Sequence, residues 1–355
     1  LVAGPIVRAS EFVPQINKKF KLSKTDFGWA IYMILKGLIK KMVFADFIAA
    51  YFLDDVFASP GDFSGMAQVM AIFGYSLQIY GDFSGYTDMA IGIAKMFNID
   101  LPINFKSPYK SKNIIIFWRS WHMTLSRFLK DYLYIPLGGN RRGSRHLNLF
   151  MTMLLGGLWH GAGWTFVFWG GLHGFYLITN HGWHYIQRKL KLELLNQLMI
   201  WQCFCWFLTF ISVVNAWVFF RAVTFESALE ILKGMYGLNG IALPNALLAR
   251  LGSFSSVLTE LGITTYIGGG SQFIFTYLWV FVLLFVTLLT PNTQQIMQKI
   301  SGANIELGGA LCDKGLFSKK LTFQYTGVWA FIMAGALVVA IFGLTRVSEF
   351  LYFQF

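Results

Sequence analysis

The sequence predicts an all-α, multi-pass transmembrane bundle, and three observations carry that prediction. Hydrophobic residues make up 55% of the 355 positions and charged residues only 13%, where a soluble globular chain carries about 25% charged residues. The mean hydropathy is +0.54. Apolar runs approaching the ~20 residues that a helix needs to cross hydrocarbon recur along the chain. The 36 Phe, 15 Tyr and 12 Trp exclude a disordered chain.

The opening Leu1-Val2-Ala3-Gly4-Pro5 has no initiating Met and no charged segment before an apolar one. It reads as the interior of a longer protein. The expected organisation is therefore one membrane domain over 1–355 lacking an N-terminal transmembrane portion. Run 27–52 carries Lys36, Lys40 and Lys41, so its middle is expected at an interface or buried and kinked. Run 66–97 holds Asp82, Ser84, Tyr86 and Asp88. Carboxylates at such depth are costly; they are expected either as structural partners of the lysines of 27–52, the favoured reading, or as the lining of a path.

Segment 113–135 sets Ile115, Phe117, Trp118, Trp121, Leu125 and Leu129 at roughly helical spacing among basic and polar residues. That pattern predicts a helix at the membrane interface or folded back into the protein. Run 147–178 lies between two basic clusters, 106–146 and Arg188, Lys189, Lys191. Lys and Arg favour the cytoplasmic side, and one straight helix would put the clusters on opposite sides. The glycines between Gly156 and Gly174 predict a break around Gly156–Gly163 and a return, which is tolerated where protein or a cavity surrounds the backbone. Runs 199–220, 273–290 and 325–345 complete the expected spans, with a weaker one near 241–258.

The formal charge of +12 would raise nucleic acid as a partner in a soluble protein. Here the basic residues sit between apolar runs, where they report topology, and the lipid bilayer is the expected partner; nucleic acid is not. Cys203, Cys205 and Cys312 form neither a disulfide framework nor a metal spacing. His181 and His184 stand three apart without a carboxylate or thiol nearby, so no metal is expected.

His160 is the residue of most chemical interest. It stands in Leu158-Trp159-His160-Gly161, near the middle of the glycine-rich run, where an ionisable group is costly and faces protein or a water-filled path. An imidazole can take or give a proton near neutrality. His122, in Phe117-Trp118-Arg119-Ser120-Trp121-His122, reads on its own as an interfacial residue. His173 follows His160 by 13 positions, about 220° away on one continuous helix, and is expected on a different side. The residues alone thus give a membrane protein with a candidate acid/base histidine and no named reaction.

Four blocks in order then carry a resemblance. They are Phe105-Lys106-Ser107-Pro108-Tyr109, Phe117 to Ser126, Asp131-Tyr132-Leu133-Tyr134-Ile135-Pro136-Leu137-Gly138-Gly139-Asn140-Arg141, and Gly157-Leu158-Trp159-His160-Gly161-Ala162. Together they resemble the membrane-bound O-acyltransferase (MBOAT) family, in particular its bacterial alginate O-acetyltransferase-like branch. The opening LVAGPIVR and the closing FLYFQF are similar to segments of that branch.

The resemblance implies a bundle with broken or re-entrant helices around a central channel, in the bacterial cytoplasmic (inner) membrane. His160 matches the family's catalytic histidine and His122 that of its second motif. Trp121, Trp159, Arg119 and Asp131 are the expected substrate-binding residues. The implied reaction moves an acyl group, in this branch acetyl, from a cytoplasmic thioester such as acetyl-CoA to a hydroxyl, with no bound cofactor. The final acceptor would be an extracytoplasmic polysaccharide or cell-wall polymer, reached with an extracytoplasmic partner acyltransferase or acceptor protein. Two rivals remain at this point: a D-alanyl-transfer relative using an acylated carrier protein, and a transporter or flippase, which broken helices and midplane ionisable groups would serve equally well.

Overall fold

Glycines set how closely the first two long helices approach. The computed structural model describes residues 4–46, 53–266, 270–292, 295–296, 324 and 326–343. Helix α1 spans Ala9–Ile16 and α2 spans Lys24–Ile39, the latter capped by Ser23, whose hydroxyl accepts the Asp26 N–H at 3.0 Å. α2 runs on into a wider helical turn over Lys40–Asp46. After the short α3 (Asp54–Ala58) comes α4 (Gly65–Met96), which lies along α2. A Cβ at Gly85 would sit 2.7 Å from the Gly37 carbonyl oxygen, and one at Gly92 equally close to that of Ala30. Side chains there would force the helices apart, as at close crossings in membranes generally.

Between these helices lies a buried ionic cluster. Asp88 accepts Lys40 at 2.7 Å and Lys36 at 3.2 Å, while Lys41 reaches Asp82 and Asp46 at 2.7 Å each. Asp82 and Asp88 are buried. The expected pairing of the carboxylates of 66–97 with the lysines of 27–52 is what the structure contains.

Segment 113–135 is not one helix. It divides into α5 (Ile114–Trp118), a tight turn, α6 (Met123–Leu129) and a wide turn over Lys130–Tyr134. The physical cause is a left-handed backbone at His122, with φ 41°, which ends one helix and starts the next.

Run 147–178 breaks as expected. α7 (Arg145–His160) stops at Gly161, and α8 (Trp164–Lys189) starts after Gly163 and packs back against α7. A Cβ at Gly157 would collide with the Phe166 carbonyl oxygen and lie 3.2 Å from the Gly170 Cα.

α9 (Met199–Arg221) then buries Phe210, Val214, Trp217 and Phe220 against the core and leaves Phe204, Phe207 and Leu208 outside. α10 (Phe225–Met235) follows. Run 241–258 is not a span, because Pro244 and Gly252 interrupt it. It forms strand β1 (Ala242–Pro244), α11 (Asn245–Arg250) and the start of α12 (Phe254–Glu260), and β1 pairs in parallel with β2 (Thr264–Tyr266), Ala242 opposite Thr264. α13 (Gly270–Leu289) and α14 (Gly327–Gly343) complete a fold that is mostly helical. Cys312, the closing FLYFQF segment and nearly all of 297–324 lie outside the described residues.

Among the described residues, one helix, α9, is long and apolar enough to cross a membrane by length and composition. The count falls below the six runs read from the sequence because α2 is 16 residues long, α4 is interrupted by polar residues such as Gln68, Gln78 and Asp82, run 147–178 is cut in two, and the apolar stretches of α13 and α14 are shorter.

Removing one member of the ionic cluster should cost far more than removing a surface pair. Lys41→Leu strands two buried carboxylates, and a loss of about 3–5 kcal/mol is expected. Lys95→Ala, which breaks the exposed-side contact with Asp100 at 2.8 Å, should cost below about 1 kcal/mol. Thermal unfolding in detergent compares the two, and equal losses would show that the cluster is not what holds α2 to α4.

Candidate active site

His122 is placed by backbone pairing of two loops. The extended stretch before Ser107 meets the turn after α5: the Lys106 N–H donates to the Ser120 carbonyl at 2.9 Å, and the Met123 N–H to the Asn104 carbonyl at 2.9 Å. Those bonds close around His122 and hold it at a positive φ, which is uncommon for a non-glycine residue and recurs where function requires it.

The ring has a defined tautomer. Asn104 Oδ1 accepts the Thr124 N–H at 3.1 Å and the Thr124 hydroxyl at 3.0 Å, and lies 3.0 Å from His122 Nδ1. A backbone N–H can only donate, so the atom facing Thr124 is the amide oxygen and the Asn104 orientation is fixed. His122 Nδ1 must then carry the hydrogen. Nε2 keeps its lone pair.

His160 closes α7, and its ring stands edge-on to Trp169 at 5.3 Å and to Phe220 at 5.2 Å. His122 and His160 line one cleft, walled by Phe83, Trp121, Trp169 and Trp217 among others, with free volume of about 10 Å³. That is room for about one water.

Beside this cleft is a second, larger cavity of about 510 Å³, bordered by Arg119, Arg127, Lys130 and Arg145 together with Tyr134 and Asn140. Glu11 offsets part of this charge through a 2.7 Å ion pair with Arg127. Burial is slight there, and the Arg127 hydrogen bond holds the Glu11 carboxyl below its ordinary pKa. Among the described residues, Trp118 is the one that lines both the cleft and the cavity.

The structure thus brings His122, His160 and Trp121 together, with Arg119 one step away on the basic cavity. Trp159 and Asp131 line neither space. Trp159 is 57% exposed and lies against Phe128, ring centroids 5.9 Å apart, because successive helical residues point about 100° apart. Asp131 is engaged by the Arg8 guanidinium.

His173 does not line the cleft with His160, but it packs against two of the cleft walls, Trp118 and Trp169. The helical wheel assumed a continuous helix from His160, but the break at Gly161–Gly163 resets the phase. His173 stands one turn after Trp169 on α8, its ring 4.9 Å from that indole. It is fully buried, and its Nδ1 accepts the Trp118 indole N–H at 3.3 Å. That bond puts the His173 hydrogen on Nε2. Among the described residues neither this Nε2 nor the Trp169 indole nitrogen has a hydrogen-bond partner, and buried donors left unpaired call for a reason. The i,i+4 spacing of Trp169 and His173 was the available signal. His181 lies against Arg145 at 3.2 Å, and among the described residues no group of three His, Cys, Asp or Glu could hold a metal.

Comparison with known proteins adds ancestry to this geometry. The model of the membrane-bound O-acyltransferase family matches residues 1–215, the stretch that carries all three of these histidines. The chain is 49% identical over 247 residues to a peptidoglycan O-acetyltransferase of Helicobacter pylori, an alignment covering 68% of this chain and 46% of that protein. It is 43% identical over 239 residues to a probable alginate O-acetylase of Pseudomonas putida, covering 66% and 47%. A teichoic acid D-alanyltransferase of Bacillus subtilis is 29% identical over 184 residues, covering 48% and 46%. The chain spans about half the length of the curated relatives it matches. With more than half of its residues inside the family match, and with that level of identity, the chain belongs to the membrane-bound O-acyltransferase family.

Proposed function

We propose that this protein is a membrane-embedded O-acyltransferase, transferring acetyl from a thioester donor to a hydroxyl for O-acetylation of an extracytoplasmic polysaccharide or cell-wall polymer. The observation that carries the reading is the pair His122 and His160 in one cleft, beside a cavity ringed by four cationic side chains. A basic cavity suits a donor whose acyl group rides on a phosphate-bearing carrier such as coenzyme A. Acetyl is favoured over D-alanyl because the O-acetyl relatives are 40–49% identical and the D-alanyl relatives 26–29%.

The chemistry follows from the residues. The hydroxyl gives its proton to a His160 ring nitrogen as its oxygen bonds to the thioester carbonyl carbon, and the carbonyl electron pair moves onto oxygen. The Trp169 indole N–H, a buried donor on the cleft wall, is suited to that oxyanion. Collapse breaks the carbon–sulfur bond, and the departing thiolate takes the proton back from His160. As the acceptor enters, its one hydroxyl hydrogen bonds first to His122 Nε2, which orients it, and then turns to His160 as the attack begins. General base catalysis of this kind contributes about 10²–10⁴-fold.

A bilayer setting fits the outer surface. Phe168, Phe175, Phe204, Phe207, Phe281 and Phe331 are all exposed, and the hairpin puts Arg145 and Arg188 at one end, which we assign to the cytoplasmic face in a multi-pass arrangement. A cleft this small admits no polymer chain. The acceptor at His160 is then a small hydroxyl that relays the acyl group to an extracytoplasmic partner protein. A closed cleft is also a poor path for a transported solute, which sets the transporter reading second.

Three outcomes follow. His160→Ala should abolish acyl transfer with expression and membrane insertion intact, and wild-type transfer by that variant would remove His160 from the reaction. Asn104→Leu, which frees the His122 ring, should lower kcat about 10-fold or more while donor KM holds; an unchanged kcat would separate His122 orientation from catalysis. Cysteines at Ser144 and Lys189, in a chain without native cysteines, should both resist an impermeant thiol reagent added outside intact cells. Labelling of just one would refute the shared face.

A further inference from the structure

We propose that Trp118 is the residue that selects the acyl group: its indole partitions the basic cavity from the histidine cleft, and His173 latches it in that position. The proposal rests on the acyl-transfer reading and names the residue that would set its specificity. Among the described residues Trp118 alone lines both spaces, about 510 Å³ on one side and about 10 Å³ on the other. Any acyl group delivered from the basic side meets this indole before it meets His160.

The latch is directional. An indole N–H only donates, so its partner must present a lone pair, and His173 Nδ1 does so at 3.3 Å. Its ring also stands edge-on to Trp118 at 5.1 Å, while Trp169 crosses the indole at 5.9 Å from the cleft side. The backbone is pinned independently, since the Trp118 carbonyl accepts the Ser126 hydroxyl at 2.9 Å. Side-chain rotation of Trp118 is therefore a motion that opens the cleft toward the basic cavity while the turn stays in place. With the indole seated, the cleft holds a group of about one water's size. A small tilt admits a two-carbon acyl group; a longer chain requires the hydrogen bond to break.

His173 acts through Trp118 and is a positioning residue. Replacing it with Leu removes the acceptor but keeps an apolar ring-sized filler. Asn in its place can return an acceptor oxygen. Trp118→Phe keeps most of the ring and removes the N–H, so it should behave like His173→Leu. Because both remove the same bond, the double variant should match either single one.

The test uses purified full-length protein in liposomes, with acetyl-, butyryl- and hexanoyl-coenzyme A as donors and glycerol as a small hydroxyl acceptor. Release of free thiol and glycerol ester are read together. Trp118→Ala should raise the butyryl-to-acetyl ratio of kcat/KM about 10-fold or more. His173→Leu and Trp118→Phe should each raise it by a smaller, equal factor, and His173→Asn should bring it back toward wild type. Should Trp118→Ala not fold, Trp118→Leu and the His173 variants carry the same comparison. An unmoved ratio in active Trp118 variants, or additive effects in the double variant, would overturn the partition. Wild-type protein that transfers none of the three acyl groups, no differently from His160→Ala, would instead sink the acyl-transfer reading beneath it.

Discussion

The close crossing of α7 and α8 is the constraint on which the site depends. Two backbones meet at Gly157 and Gly170 because neither residue carries a side chain. That crossing fixes where the chain turns, and the turn at Gly161–Gly163 leaves His160 at a helix end and not mid-helix. The same crossing sets Trp169 and His173 against the segment that carries Trp118 and His122. Were the helices a side chain further apart, the two histidines of the cleft would face a gap.

Chemical definition comes from fixed donors. Thr124 and Trp118 each supply an N–H that cannot act as an acceptor, and each thereby dictates a histidine tautomer: His122 through Asn104, His173 directly. The two rings are oppositely protonated as a result, with the lone pair on Nε2 in His122 and on Nδ1 in His173. Aromatic rings pack around both of them. Inside such packing hydrogen bonds are stronger, and unpaired donors such as the Trp169 N–H are more costly, which is why a transient oxyanion would be well received there.

Much of this was legible in the sequence. The lysines of 27–52 were the favoured partners for the carboxylates of 66–97, ahead of the lining of a path, and they are partners. The glycines of 147–178, set against the two basic clusters, called for a break, and the chain breaks. What stayed hidden depends on contacts between distant segments. Nothing local marks the left-handed backbone at His122, because it is imposed by pairing with Asn104 and Lys106. Asp131 was expected to bind substrate on the strength of the resemblance, yet it is engaged by Arg8, far away in the chain. Trp159 shares a motif with His160 but not a helix face. His173 was set aside by a wheel drawn through a break that the same reading had already anticipated.

The ionic cluster between α2 and α4 bears on how the chain enters a bilayer. α2 and its extension carry Lys36, Lys40 and Lys41, while α4 carries Asp82 and Asp88. Each buried charge at the centre of a lone helix would cost about 2.5–3.5 kcal/mol on insertion. In the multi-pass arrangement proposed above, neither segment would wait in lipid by itself. The two would leave the insertion machinery together, already neutralised, so that their order of synthesis would also be a rule for their assembly.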